Sequence, residues 1–315
     1  MMHRTKATRA SRWAMVGMVA ATTAVTAPQA GATYPGQEGR IAWGAFDAAN
    51  PTQADIWSAR PGGHALHRLT EAPGQDICPA YSADGKQIAF CSNRTGAYEI
   101  WMMDANGKQE RQITSLKTNS LFPDFSPDGS TLVFAGTPPG GAFRDLYRVP
   151  ANGGDPVQLT NTPTMREETP VWSPDGRTLL YVKMAGNRSA SQLWTMDVAT
   201  GQENQLTFDA TFKDQAPDWS PDGATIAYHA NDDIWLMQAD GSDQRNVTQS
   251  PEVEFGAAFS PDGTRIAFTG TGGPVPVGQR YVQTIGIDGS DRQVLAATPG
   301  LLQAVPGWQS LGDGR

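Results

Sequence analysis

Residues 217–228 read Pro-Asp-Trp-Ser-Pro-Asp-Gly-Ala-Thr-Ile-Ala-Tyr, and this stretch decides the fold because the chain repeats it. Ser-Pro-Asp-Gly occurs four times, and residues 82–85 carry the same turn with alanine in place of proline. The five turns begin at Ser82, Ser126, Ser173, Ser220 and Ser260. Successive serines are therefore 40 to 47 residues apart. Such a period is typical of an array in which one supersecondary unit recurs.

Each copy has the pattern of four short antiparallel strands. The first strand ends in an aromatic residue, and the Pro-Asp-Gly turn follows, in which proline presets φ, aspartate bonds the backbone and glycine adopts a positive φ. The second, third and fourth strands of one copy contain Ile226-Ala-Tyr228, Asp233-Ile-Trp235 and Val247-Thr248. Four such strands, rich in β-branched and aromatic residues, make one blade of a β-propeller.

The two ends of the chain supply one further blade between them. Residues 39–70 contain a second, third and fourth strand without a first, and residues 303–309 form a lone first strand. Joining them removes the exposed edges of an open array. The sequence therefore predicts an all-β, six-bladed propeller of four-stranded antiparallel blades, closed by a C-terminal strand, in one domain over 33–315. The predicted blades are 39–70 with 303–309, 76–114, 120–160, 167–207, 214–248 and 254–295.

The iterated pattern Pro-x-Trp-Ser-Pro-Asp-Gly-x-x-Ile-Ala-Phe, then Asp-Ile-Trp, then Leu-Thr, resembles the TolB family of six-bladed propellers with WD40-like PD40 repeats. The resemblance covers residues 39–310 and concerns the propeller domain only. It implies a protein-binding role in the cell envelope. It does not extend to the separate N-terminal domain that TolB carries.

The first residues have the features of a secretory signal peptide. Residues 1–12 carry four basic side chains and no acidic one, residues 13–27 are apolar and small, and Ala30-Gly31-Ala32 fits an A-x-A cleavage site. An uncleaved anchor is the alternative, but the apolar run falls short of the roughly 20 residues that span a bilayer. We predict cleavage after residue 32, a mature chain beginning at Thr33, no transmembrane segment after cleavage, and export to the periplasm, cell envelope or secreted space.

The formal net charge is −8, and loss of the basic leader makes the mature chain more acidic still. An acidic exterior disfavours nucleic acid and anionic membranes as partners. We expect a monomer that binds an envelope or secreted protein, with a basic segment on that partner.

The chain has two cysteines, Cys78 and Cys91, on either side of one Ser-Ala-Asp-Gly turn. A disulfide is compatible with export. If Ser82 pairs with Gln87, Cys78 faces Cys91; if Ser82 pairs with Lys86, the cysteines point to opposite faces. The other interpretation is two small buried side chains.

Aligning the repeats gives one candidate binding site, which we call the mouth positions. They lie three residues before the proline position of each first strand: Asp76, Ser120, Glu167, Asp214, Glu254 and Gln303. First strands line the central channel of a propeller, so four carboxylates would encircle one channel mouth. Asp76, Glu167, Asp214 and Glu254 could then hold a hard cation such as Ca²⁺ in the central channel, or attract a basic side chain. Alternatively, they bond backbone N–H groups between blades.

No catalytic motif of the common hydrolases or nucleotide-binding proteins occurs in the sequence. The long, Gly/Pro-rich loops between second and third strands, such as residues 136–144 and 269–280, are expected on the same face as the mouth positions, where recognition residues are commonly placed. We therefore interpret the chain as a non-catalytic binding or scaffold protein without catalytic residues. The alternative is a glycan-active lyase or hydrolase with a metal at the channel mouth.

Overall fold

The computed structural model describes residues 35–47, 49–186, 190–208, 215–271, 280–296 and 301–311, with backbone alone for 215, 296 and 301–305. The predicted leader, Thr33 and Asp214 lie outside these ranges. The regular structure of the described residues is entirely β, arranged as six four-stranded antiparallel sheets. The predicted fold class is confirmed. The described residues include no helix long and apolar enough to cross a membrane.

The blades follow one another along the chain, and each runs from an inner first strand to an outer fourth strand. Blade 1 contains β1 (Gln37–Asp47), β2 (Ala54–Ala59) and β3 (His67–Arg68), with β24 (Leu301–Leu311) as its inner strand. Blade 2 contains β4 (Asp76–Tyr81), β5 (Gln87–Ser92), β6 (Glu99–Asp104) and β7 (Arg111–Gln112). Blade 3 contains β8 (Ser120–Phe125), β9 (Thr131–Gly136), β10 (Asp145–Pro150) and β11 (Val157–Gln158).

The remaining three blades have the same order. Blade 4 contains β12 (Met165–Trp172), β13 (Thr178–Ala185), β14 (Ser191–Asp197) and β15 (Glu203–Gln205). Blade 5 contains β16 (Gln215–Trp219), β17 (Thr225–Ala230), β18 (Asp233–Gln238) and β19 (Arg245–Asn246). Blade 6 contains β20 (Glu254–Phe259), β21 (Arg265–Gly270), β22 (Tyr281–Gly286) and β23 (Gln293–Ala296).

The repeated turn folds by local hydrogen bonds that its residue types dictate. In blade 5 the N–H of Gly223 donates to the carbonyl of Ser220 at 2.8 Å, and Ser220 Oγ donates to Asp222 Oδ1 at 2.6 Å. Gly223 has a φ of 71°, which glycine adopts without a steric penalty. The same serine–aspartate and serine–glycine bonds occur in the other four turns. The turn therefore fixes where each first strand ends and each second strand begins.

Closure of the propeller joins the two ends of the chain. β24 pairs antiparallel with β1, with Trp308 opposite Ile41. The backbone N–H of Arg40 donates to Gln309 Oε1 at 2.8 Å, and Gln309 Nε2 donates to the carbonyl of Gly85 at 2.7 Å. Gln309 thus bonds to blades 1 and 2 at once. The predicted closing strand is confirmed.

The core lies between the blades. Six clusters of buried apolar side chains occur in the described residues, one for each pair of neighbouring blades. Between blades 3 and 4, for example, Trp172 and Trp194 pack with Val133 and Leu146. Because each blade buries its two faces against different neighbours, burial of apolar area holds the ring together.

Each inner strand also contains a one-residue bulge that the repeat pattern did not predict. The pairing of first and second strands shifts within all six blades. In five blades the residue before the proline position has a left-handed φ, between 44° and 68°: Cys78, Phe122, Thr169, Ala216 and Gly256. Bulges of this kind bend a strand and redirect its side chains. They bend the inner strands where these line the channel.

The bulge in blade 2 changes the relation between the two cysteines. Ser82 N–H donates to the carbonyl of Gln87, which is the register that would set Cys78 opposite Cys91. The bulge then shifts the pairing, so that Ile77 lies opposite Cys91. Both thiols are free in the structure.

Candidate functional site

The mouth positions lie where each first strand begins, beside the connector from the previous blade. The end of the second strand pairs with the mouth position, as Ser92 does with Asp76 in blade 2. Connectors and the loops between second and third strands therefore share one face, which we call the mouth face. The Pro-Asp-Gly turns occupy the opposite face. This arrangement follows from antiparallel pairing within each blade.

The described carboxylates at the mouth positions are buried and paired with cations. Arg94 Nη2 lies 2.7 Å from Asp76 Oδ2, and Asp76 is 1% exposed. Lys183 Nζ lies 3.3 Å from Glu167 Oε1, and Arg292 Nη1 lies 2.6 Å from Glu254 Oε1. These acids do not present unpaired charge to solvent. Three salt bridges, in blades 2, 4 and 6, occupy positions at which the sequence suggested carboxylates that hold a cation, attract a basic side chain or bond the backbone.

Each of the three cations also lies over an aromatic ring. Arg94 is 4.5 Å from the ring centroid of Trp101, Lys183 is 5.1 Å from that of Trp194, and the Arg292 guanidinium is 5.2 Å from that of Phe268. Such contacts stabilise a cation that has been partly removed from water. An acid, a cation and an aromatic ring thus recur in alternate blades.

The mouth acids also bond to the preceding blade. The hydroxyl of Thr160, at the end of blade 3, donates to Glu167, and Thr162 Oγ1 donates to Glu167 Oε1 at 3.2 Å. Burial raises the pKa of Glu167, while the bonds from Thr160 and Lys183 oppose that rise. Burial likewise raises the pKa of Glu254, and Thr248 at the end of blade 5 opposes it. These contacts tie neighbouring blades together through threonine hydroxyls. The alternative interpretation named backbone N–H groups, so the role of the mouth acids stays a prediction.

In blade 3 the mouth position is a serine, and the carboxylate that it contacts belongs to the preceding blade. Ser120 Oγ donates at 3.3 Å to Glu99 Oε2, which belongs to blade 2, and Thr114 Oγ1 donates to the same oxygen at 2.6 Å. At this junction the carboxylate comes from the third strand of blade 2 and not from the mouth position. The strand-three acid was overlooked in the sequence, although Asp or Glu opens the third strand in four blades: Asp55, Glu99, Asp145 and Asp233.

The last two mouth positions are described less fully. The backbone of Gln303 lies opposite Ala45 in blade 1, and Asp214 is outside the described residues. Within the described ranges, no group of three or more His, Cys, Asp or Glu side chains could hold a metal ion. A cation or a basic partner at the mouth positions stays a prediction.

The central channel is lined by all six inner strands and is narrow. It encloses about 110 Å³, room for a few water molecules or one side chain. Its wall is formed mainly by the bulges and the residues that follow them: Cys78, Pro79, Phe122, Pro123, Thr169, Pro170, Ala216, Pro217, Ala257 and Pro306. The axis of the propeller is therefore mainly apolar.

Two carboxylates that the repeat alignment did not predict interrupt this apolar wall. Asp124 and Asp218 follow the prolines of blades 3 and 5, and both are more than nine-tenths buried. Asp124 Oδ2 accepts the N–H of Trp172 at 2.8 Å, and Asp218 Oδ2 accepts that of Phe259 at 2.7 Å. Burial raises the pKa of Asp124 to about 8, with a contribution from the charge of Asp218. The sequence feature that marks these two carboxylates is the Pro-Asp pair, which occurs at 123–124 and at 217–218.

The mouth face also exposes apolar side chains on two successive connectors. Phe208, between blades 4 and 5, is 76% exposed, and Val253, between blades 5 and 6, is 41% exposed. These two side chains are candidate contact points for another molecule.

Comparisons with known proteins agree with this architecture. "Protein TolB homolog" of Chlorobium luteolum is 35% identical over 57 residues, which are 18% of this chain and 13% of that protein. The crystal structure of TolB from Acinetobacter baumannii superposes with a TM-score of 0.72 at 22% identity, covering 86% of this chain and 67% of that one. An oligogalacturonate lyase in complex with manganese gives a TM-score of 0.52 at 16% identity, covering 84% and 75%. At these identities the structural likenesses show the fold alone.

A family model described as the TolB β-propeller domain (PD40) matches residues 24–233, more than half of the chain. Together with the six blades of the structure, this match confirms the resemblance inferred from the repeats. The chain belongs to the TolB β-propeller domain family.

Proposed function

We propose that this protein is exported and acts as a non-catalytic, protein-binding propeller of the cell envelope or secreted space. The observation that carries the proposal is the exposure of Phe208 and Val253 on successive connectors of the mouth face. Exposed apolar anchors on a rigid scaffold are typical of protein interfaces. Membership of the TolB propeller family supports a protein partner.

The charge of the molecule suggests which residues of the partner border its contact with Phe208 and Val253. The whole chain has a net charge of −8. Because the described mouth acids are already paired, attraction for a basic partner comes from the general acidic surface. That contribution is screened by salt. We therefore infer a partner with an apolar contact patch bordered by basic residues.

The alternative of a metal-dependent, glycan-active enzyme has less support. The described mouth acids would have to break their salt bridges with Arg94, Lys183 and Arg292 to bind a metal. The described residues hold no cluster of metal-ligating side chains that could replace them. The likeness to a manganese-bound lyase is one of fold.

A capture experiment with matched variants tests the proposed binding surface. The tagged protein is cross-linked in its native host, recovered, and its partner identified by mass spectrometry. We expect Phe208→Ser with Val253→Ser to abolish recovery of that partner. Val157→Ser removes a side chain that is 49% exposed on the outer strand β11 and should leave recovery unchanged. Equal recovery with all three proteins would refute the role of the mouth face.

Export has its own test. N-terminal sequencing of protein from outside the cytoplasm should begin at Thr33. Protein with an intact Met1 in that fraction would show that the leader is not cleaved.

A further inference from the structure

The two cysteines of the chain lie next to each other beside the central channel. Ile77 is opposite Cys91, and Cys78 follows it in the bulge with a φ of 54°. Cys78 packs against the cluster of buried side chains that contains Cys91. A reactive pair needs such proximity, since a disulfide tolerates only a short separation between the two β-carbons.

The two thiols differ in their access to solvent. Cys78 is half-buried and lines the channel, whereas Cys91 is completely buried. Cys91 Sγ also accepts the N–H of Phe122, from blade 3, at 3.2 Å. Burial raises the pKa of the Cys91 thiol well above its usual range. A reagent from solvent therefore reaches Cys78 first, and Cys91 can react only through Cys78.

We propose that Cys78 and Cys91 form a redox-active dithiol, which a small linear disulfide oxidises to an intramolecular disulfide. The Cys78 thiolate attacks one sulfur of the oxidant, forming a mixed disulfide and releasing one thiolate. That thiolate takes the proton of Cys91, whose sulfur then attacks Cys78 Sγ and displaces the second thiolate. The second thiolate takes up the proton that Cys78 released to solvent. The protein loses two S–H bonds and gains one S–S bond, and the oxidant is reduced to two thiols.

The reaction is tested on the folded, full-length mature protein with 2-hydroxyethyl disulfide as the oxidant. After acid quenching, intact mass spectrometry should show the wild type lighter by two hydrogen atoms and free of adduct. Dithiothreitol should restore the original mass. Two unreacted thiols, or a stable adduct on the wild type, would overturn the proposal.

Two single variants distinguish the roles of the sulfurs. Cys91→Ser, which keeps an acceptor for the N–H of Phe122, should accumulate one stable adduct on Cys78. Cys78→Ser should remain unreacted when folded and react once it is unfolded in guanidinium. Circular dichroism verifies that both variants are folded. Rapid modification of Cys91 in folded Cys78→Ser would contradict the order of attack.

Discussion

At the scale of single residues, the propeller uses carboxylates in three distinct environments. The turn aspartate Asp222 is held ionised because the Ser220 hydroxyl and the backbone N–H of Ala224 donate hydrogen bonds to it, which lowers its pKa. The mouth acids are buried but paired with cations. Asp124 is buried in the channel wall without a cation, and burial raises its pKa to about 8. One residue type therefore serves as a turn former, an inter-blade contact and a titrating group of the channel.

The raised pKa of Asp124 predicts a pH dependence of stability. Its pKa is about 8 in the folded protein and about 3.9 when unfolded. The folded state thus binds the extra proton between these values, and the free energy of unfolding should fall as the pH rises from 4 to 8. Asp124→Asn, which can still accept the N–H of Trp172, should make that decline shallower.

Urea unfolding at a series of pH values measures this dependence. Asp222→Asn serves as a contrast, because its lowered pKa gives stability that is lost as the pH falls rather than as it rises. Identical pH profiles for the wild type and Asp124→Asn would exclude titration of Asp124 in this range.

Glu167 provides a test of the mouth acids. Glu167→Gln should destabilise the fold by about 1–3 kcal/mol, because Lys183 loses a buried partner and Thr160 a charged acceptor. Asp155→Asn, at an exposed carboxylate, should change stability by less than about 0.5 kcal/mol. Thermal unfolding of the wild type should not respond to millimolar calcium. A calcium-dependent rise in Tm that Glu167→Gln removes would instead establish a cation site.

At the scale of the strands, the sequence predicted each turn and each four-stranded blade but not the bulges. The turn is encoded by consecutive residues that bond one another. The bulge depends on one residue with a left-handed φ, and that residue differs in type from blade to blade, so no repeated residue marks it. The salt bridges were missed for a related reason. Arg94 follows a second strand, Lys183 lies within one, and Arg292 precedes a fourth strand. These cations do not share a repeat position, so an alignment of the repeats cannot reveal them.

The bulge of blade 6 can be tested at Gly256, whose φ is 68°. Gly256→Ala should lower the free energy of unfolding by about 1–2 kcal/mol, because an L-residue with a Cβ atom is strained in this conformation. Gly256→Asn should cost less, since asparagine tolerates left-handed φ values better. Urea unfolding of the wild type and the two variants ranks their free energies of unfolding. An alanine variant as stable as the wild type would show that the bulge relaxes without cost.

At the scale of the whole molecule, the ring depends on one strand. Deleting residues 301–315 removes the inner strand of blade 1 together with the bonds of Gln309 to blades 1 and 2. We expect the deletion to lower Tm by several degrees or to prevent folding.

A circular permutant provides the matched control for this deletion. Gln37 lies opposite Leu311, so a short loop can join them. The new chain ends can be placed at Gly153, where a Cβ atom would have no neighbour within 4 Å. The permutant should keep nearly the parental Tm, and a deletion variant as stable as the permutant would contradict the closing role.

The bond between Arg40 and Gln309 joins residues 269 positions apart, and this separation bears on how the protein folds. Blades 2 to 6 are each built from consecutive strands, but blade 1 is complete only when residues 301–311 reach β1. Until then the molecule is an open arc whose unpaired first and last strands can pair with other chains. The slowest contact to form is therefore the one that protects the molecule from aggregation.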